Sequence, residues 1–395
     1  MKSLVFAAAF CGSFCLGAET APEFTTLWEA GKSGHALYRI PGIVVTAKGS
    51  VLAYCEARKN NGNDWGRIDV MLRRSTDGGK NWSAPMLMAE NDGSFVNNPV
   101  ALERNLVKPG EFTIGNPVAI ACRNGAVFFI YTIDNWRCYC RRSDDDGATF
   151  GKAIDITNSF ENLRADYAWK VIAAGPGHGI ELKSGRLVVP FWMSLANGRG
   201  AHRPSAVATI YSDDQGSTWK RGAIVCNHPD PLINPSETVA VQLADGRVML
   251  NIRSESLANR RAVSFSADGA TNWTKPEFVG ELKEPICMAS IVRQSETPPR
   301  LLFANPDNLD GPKGKVMQPG QGRERKNLAI KLSRDEGKSW PVSKVLDAGL
   351  SAYSDLAVLP DGSVLCFYEK GTPDGRGYQS LTLAKFTLEW LEAAP

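Results

Sequence analysis

The chain of 395 residues lacks most of the signatures by which function is usually read. Its charge is almost balanced, 45 Lys and Arg against 42 Asp and Glu, with no basic run and no aromatic–basic stripe. That excludes the electrostatic footprint of a nucleic-acid partner. There is no Gly-rich phosphate loop, no His-Glu-x-x-His pair and no Ser-His-Asp signature, and His35, His178, His202 and His228 stand isolated in sequence. Nothing therefore calls for a metal or a cofactor. Helical signal is scarce. The one long apolar run, MKSLVFAAAFCGSFCLGA at the start, is too short and too weakly flanked for a membrane anchor. It has the outline of a secretory signal peptide over residues 1–18. The expectation is a secreted or periplasmic protein whose residues 19–395 form a single domain. Beyond that segment remain Cys55, Cys122, Cys138, Cys140, Cys226, Cys287 and Cys366, an odd set scattered through apolar runs. They read as small core hydrophobes and not as a disulfide framework.

What the chain does have is repetition. The pattern Ser-x-Asp-x-Gly-x-x-(Trp or Phe) recurs as STDGGKNW, SDDDGATF, SDDQGSTW, SADGATNW and SRDEGKSW, starting at Ser75, Ser143, Ser212, Ser266 and Ser333. The gaps between starts are 68, 69, 54 and 67 residues, which marks one supersecondary unit copied along the chain. Asp opening a tight turn accepts bonds from backbone N–H groups ahead of it, and Gly supplies the positive φ. Alternating apolar strands precede each box, as in IDVMLRR before Ser75 and AVATIY before Ser212. These features predict an all-β fold, a six-bladed β-propeller whose sixth blade is built from both ends of the chain. The box carboxylates belong to their own turns and are read as structural.

Arginines at strand ends are the next signal. Arg39 (in YRIPG) starts an apolar strand, Arg253 ends RVMLNIR, and Arg323 and Arg325 precede NLAIKLS. One such arginine alone reads as a rim ion pair. Three from different blades could converge on the ring axis and bind a carboxylate or phosphate through charge-assisted, partly bidentate bonds.

YRIP, the five boxes, EARKNNGNDWGRIDVMLRRS, GPGHGIELKSGRLVVPFW, NPSETVAVQLADGRVMLNIR, AYSDL and YQSLTLAKFTLEWL together make the chain resemble the bacterial exo-α-sialidases of the Asp-box six-bladed propeller type. The resemblance covers nearly everything after the signal segment. It implies that Arg39, Arg253 and Arg325 grip the carboxylate of a sialic acid, with Arg323 the rival for the third place. It implies Tyr353 as nucleophile, Glu237 as its base, Asp64 as acid/base, Arg58 as a substrate-contacting arginine beside it, and Glu369 as the acid that orients Arg39. NPSET departs from the family, in which Glu more often follows Asn directly. The 16-residue separation of Glu237 from Arg253 still suits a hairpin that holds both. Asp69 is a nearby rival to Asp64, but its strand position before Arg73 and Arg74 suits a structural ion pair. Trp65 and Trp192 read equally as sugar-facing rings or as anchors.

The implied activity is removal of terminal α-linked sialic acids from glycoproteins, glycolipids and oligosaccharides, with retention. Alternatives are a non-catalytic sialoglycan-binding propeller, a trans-sialidase, or a hydrolase of a related nonulosonic acid. Tyr353, Glu237 and Asp64 favour catalysis, since a binding protein would need only the arginines. The implied partner is a sialylated glycan.

Overall fold

The computed structural model describes residues 21–393 apart from 61, 92, 198, 313–314 and 376. The expected signal segment lies outside the described residues. The architecture is all-β and propeller-like. The first sheet runs Leu37–Val45, Val51–Arg58, Ile68–Ser75 and Met86–Leu87, in chain order. The second is built on Ile114–Ala121, Val127–Ile133 and Arg137–Ser143, the third on Val171–Ala174, Leu187–Ser194, Ser205–Ser212 and Lys220–Asn227. The fourth runs Thr238–Gln242, Val248–Ile252, Arg260–Ser266 and Glu277–Lys283. A seven-stranded sheet follows, from Ser290–Ser295 to Tyr378–Phe386, and the N-terminal strand Glu23–Glu29 completes it by pairing antiparallel with Tyr378–Phe386. The two ends of the described chain therefore meet in one sheet.

Why these strands read as nearly continuous apolar runs follows from their packing. All eight residues of Val51–Arg58 are buried. Val51, Ala53, Cys55 and Ala57 face Leu365 and Phe367 of the seven-stranded sheet, whereas Leu52 and Tyr54 face Phe129 and Tyr131 of the second. The strand's alternation persists, but both faces are covered. The same division places Val248, Leu250 and Ile252 against the third sheet and Met249 against Phe303. The 17-residue strand Val342–Val358 pairs with Lys326–Ser333 along its first half and Val364–Gly371 along its second. Leu302, Ile330 and Leu332, beside its first half, pack against Leu356 of its second half and against Cys366 and Tyr368 beyond, so the succession of packed faces closes on itself. The seven cysteines among the described residues are buried and unpaired, as expected of core hydrophobes.

The boxes form the expected turns. Asp77, Asp145, Asp214 and Asp335 each accept from the backbone N–H four residues on, at 2.8–2.9 Å, and from the serine hydroxyl of their own box at 2.8 Å. The fourth copy departs from the pattern: Gly269 follows Asp268 directly, and its N–H still reaches Ser266 Oγ at 3.1 Å. The boxes also hold sheets together, which the motif does not announce. A Cβ on Gly147 would lie 2.6 Å from Leu52 of the first sheet, and one on Gly216 would lie 2.1 Å from Phe128 of the second. Asp146 accepts from Arg74, Ser50 and Thr46 of the preceding sheet.

Register separates the boxes from the expected site. Leu37, Arg58 and Ile68 align at one end of the first sheet; Val45, Val51 and Ser75, where the box begins, align at the other. In the fourth sheet Thr238, Ile252 and Ala262 lie opposite Gln242, Val248 and Ser266 in the same way.

Candidate active site

At the end remote from the boxes, loops and strand starts bring the expected residues together. Arg39 sits where Leu37–Val45 begins, at a bulge in which Ile40 takes a φ of 57°. The bulge turns the Ile40 N–H to Glu369 Oε1 at 3.0 Å while Arg39 Nε and Nη2 grip the same carboxylate at 2.9 and 3.1 Å. Glu369 is fully buried and also accepts the Tyr353 N–H at 3.2 Å. One carboxylate thus fixes both an arginine and the backbone of the tyrosine, through bonds of the charge-assisted kind.

Tyr353 is the centre of the arrangement. Its hydroxyl donates a short hydrogen bond to Glu237 Oε1 and accepts from Arg253 Nη1 at 2.8 Å. Arg39 and Arg325 lie 5.2 and 5.4 Å from its ring centroid, so three arginines from separate sheets surround one phenol. Burial pushes the phenol well above its ordinary value, against the pull of Arg253. Burial lifts Glu237 most, but Arg253 at 2.5 Å, the Tyr353 hydroxyl and Arg325 together outweigh it and the carboxyl falls below its ordinary value. The proton therefore rests on the tyrosine and Glu237 is an anion poised to take it. The 16-residue separation is realised in the backbone: Arg253 N donates to Glu237 O at 3.2 Å, and Ser236 N to Arg253 O at 3.0 Å. The altered NPSET sequence leaves Glu237 on the hairpin all the same.

Arg325, not Arg323, faces Tyr353. Arg325 is steadied by Ile286 O at 2.7 Å. Arg323 spends its donors on the carbonyls of Gln318 and Gln321 and on Asn259.

Asp64 stands at the mouth, its side chain 55% exposed, within 3.0 Å of Arg58 and 3.6 Å of Arg39. Burial raises its carboxyl, but Arg58, Arg39 and His202 together bring it down to about 2. Arg58 lies beneath it, 2% exposed, bonded to Glu56, to the carbonyls of Gly62 and Asn63, and to Asp64 Oδ1. In this geometry Arg58 braces the loop that carries Asp64. Asp69 is in an ion pair as expected, but with Lys59, and its carboxylate also meets His35 Nε2 at 3.1 Å; Arg74 pairs with Asp146.

Sequence reasoning missed several participants. Tyr378 lies under Arg39, ring centroid at 4.8 Å, so the guanidinium is held between two tyrosines. His202, isolated in sequence, stacks on Trp65 at 6.0 Å and meets Trp192 edge-on at 5.3 Å. Trp65 is an anchor, its Nε1 donating to Gly200 O at 3.0 Å. No local signal marks these residues, because each owes its place to another sheet. Among the described residues no group of three or more His, Cys, Asp or Glu is arranged to hold a metal ion, and no helix is long and apolar enough to cross a membrane.

Comparison with known proteins gives the chain a family. A family model for a BNR repeat-like domain matches residues 107–366, and one for a BNR/Asp-box repeat matches residues 73–84. The chain is similar to a sialidase of Micromonospora viridifaciens, 30% identical over 377 residues, covering 91% of this chain and 53% of that protein. A sialidase of Bacteroides fragilis is 28% identical over 371 residues, covering 86% and 61%. The chain thus spans between half and two thirds of the length of these relatives. Among solved structures, the Hadza microbial sialidase Hz136 matches with a TM-score of 0.75 and 26% identity, over 93% of this chain and 69% of that one. An intramolecular trans-sialidase from Ruminococcus gnavus shares the fold at a TM-score of 0.73 and 18% identity, over 93% and 98%. The family match takes in most of the chain, which belongs to the BNR repeat-like, Asp-box family and has sialidases for relatives.

Proposed function

We propose that this protein is a retaining exo-α-sialidase that hydrolyses terminal α-linked sialic acids of glycoconjugates through a tyrosyl-enzyme intermediate. The observation that carries the reading is the Tyr353 hydroxyl, held between Glu237 and Arg253 with Arg39 and Arg325 against its ring. A sialic acid carries a carboxylate on its anomeric carbon, so an anionic nucleophile would meet like charge at bonding distance. A neutral phenol avoids that repulsion, and sialidases are known to depart from other retaining glycosidases in this respect. With a pKa of ~10 in water, the phenol needs a base to become nucleophilic.

In the first step Tyr353 Oη attacks the anomeric carbon as its proton passes to Glu237 Oε1, and the glycosidic oxygen leaves with a proton from Asp64. In the second, Asp64 takes a proton from water, the water oxygen displaces the tyrosine from the anomeric carbon, and Glu237 returns the first proton. Arg39, Arg253 and Arg325 hold the sugar carboxylate, each charge-assisted bond contributing roughly 1.5–3 kcal/mol. The same contact resolves a difficulty with Asp64, which is an anion at neutral pH beside Arg58 and Arg39. A substrate carboxylate on Arg39 takes over part of that cation's field and lets Asp64 rise towards the range of a general acid.

We read the seven-stranded sheet as two blades sharing the strand Val342–Val358, so that the ring has six. The reading keeps a secreted or periplasmic location, with residues 1–18 as signal peptide and 19–395 as one domain, and a chemistry without metal or cofactor. The test is Tyr353→Phe, which should lower turnover of an aryl sialoside by a factor on the order of a thousand or more at unchanged melting temperature. Wild-type turnover by that variant would remove the tyrosine from the reaction.

A further inference from the structure

Two cations face the Asp64 carboxyl, Arg58 at 3.0 Å and Arg39 at 3.6 Å. The His202 imidazole, whose charge would add to theirs, is kept neutral by burial against the pull of Asp64. A general acid must carry a proton when substrate is bound, and a cation nearby favours its anion instead. Both guanidiniums, however, have a buried carboxylate behind them. Glu369 stands behind Arg39. Glu56, its side chain 4% exposed, stands behind Arg58, and its Oε2 accepts from Arg58 Nε at 3.2 Å and from Nη2 at 2.8 Å.

The two acids are seated by the same device. Each is third from the end of its strand, Glu56 in Val51–Arg58 and Glu369 in Val364–Gly371. Each accepts the N–H of a residue held at positive φ in a bulge of the adjoining sheet. For Glu369 that residue is Ile40, with φ of 57° and a bond of 3.0 Å; for Glu56 it is Asn116, with φ of 51° and a bond of 2.9 Å. Gly115 completes the seat of Glu56, because a Cβ there would lie 2.5 Å from its Oε1. Positive φ is uncommon outside glycine, and here it serves one purpose twice.

What this does for Asp64 follows from how Arg58 divides its donors. Nε and Nη2 go to Glu56, whereas Nη1 goes to the carbonyls of Gly62 and Asn63 and to Asp64 Oδ1. One positive charge is shared between a buried carboxylate and the acid at the mouth. Without Glu56 the whole field of Arg58 would fall on Asp64, and the brace that fixes the loop would also fix its carboxyl as an anion.

We propose that Glu56 is a positioning residue for the acid step: it seats Arg58 beneath the Asp64 loop and takes up enough of that cation's charge for Asp64 to deliver a proton to the leaving oxygen. The inference deepens the sialidase reading and rests on it.

Two substrates that differ in their need for that proton provide the test: an aryl sialoside, whose phenolate leaves readily, and sialyllactose, whose sugar alkoxide does not. A charge beside a carboxyl moves its titration by roughly 1–3 pH units, each unit being tenfold in the protonated fraction. In Glu56→Gln, kcat/KM for sialyllactose should therefore fall about tenfold further than kcat/KM for the aryl sialoside. The alkaline limb of kcat on sialyllactose, where the acid has lost its proton, should move about one pH unit lower. Gly115→Ala, which keeps the charge but displaces the Glu56 carboxylate, should move the ratio and the limb the same way by less, and it carries the test if Glu56→Gln does not fold. The ratio of two substrates does not depend on how much of a variant is folded. Equal falls on both substrates with an unmoved limb would leave Glu56 a structural residue and overturn the proposal. Cleavage of neither substrate by wild-type protein would instead overturn the sialidase reading.

Discussion

The two ends of the same sheets use carboxylates in opposite ways. At the box end, Asp77, Asp145 and Asp214 are solvated and satisfied within four residues, and the N–H and hydroxyl donors of their own turns hold each at about 2. At the other end, Glu369 reaches Arg39 across 330 residues and Glu237 reaches Tyr353 across 116, both in buried surroundings. A carboxylate spent on its own turn is bound to one shape and has no capacity left for a substrate. One whose partners come from distant strands is costly to keep, and it is positioned by the closure of the whole ring. The boxes supply that closure. Their glycines let each turn lie against the neighbouring sheet, and the arginine end inherits its geometry from those contacts.

Breaking each end should therefore give different symptoms. The largest effect is expected from Glu369→Ala, which strands the Arg39 guanidinium and two backbone N–H groups in the interior. Removing one partner of a buried pair costs about 3–5 kcal/mol, visible in denaturant unfolding, and kcat/KM should collapse with it because Arg39 and Tyr353 lose their common anchor. Full activity in a stably folded Glu369→Ala protein would contradict the anchoring role. A smaller effect is expected from Gly216→Ala. Its Cβ meets the Phe128 ring in a left-handed backbone conformation, an overpacking that costs about 1–3 kcal/mol. Here stability should fall while kcat/KM per folded molecule stays as it was. A fall in kcat/KM larger than the loss of folded protein would mean that the boxes are not confined to architecture.

This contrast also explains what the sequence discloses. The boxes are local objects, since serine, aspartate, glycine and ring lie within eight residues, so spacing alone predicts the turns and the repeated sheets. The Glu237–Arg253 hairpin is nearly as local: the resemblance nominates both residues, and their 16-residue separation is that of a hairpin that holds them. Arg39, Arg325 and Tyr353 are nominated by resemblance, Arg325 ahead of Arg323, and the bonds of Arg323 to Gln318, Gln321 and Asn259 give that choice its physical reason. The Tyr378 ring under Arg39 and the Trp65–His202–Trp192 stack have no signature at all, because each joins side chains from different sheets. The fourth box is less regular than the repeat implies. Gly269 lies one place earlier than the pattern requires, and its N–H finds the same serine oxygen.

The central claim is that Tyr353 forms the bond to the sugar. A 2,3-difluorinated sialic acid, which slows release of a glycosyl enzyme, followed by proteolysis and mass spectrometry, tests it most directly. The account predicts a sugar adduct on Tyr353, absent from Tyr353→Phe; an adduct on Asp64, Glu237 or any other residue would contradict it.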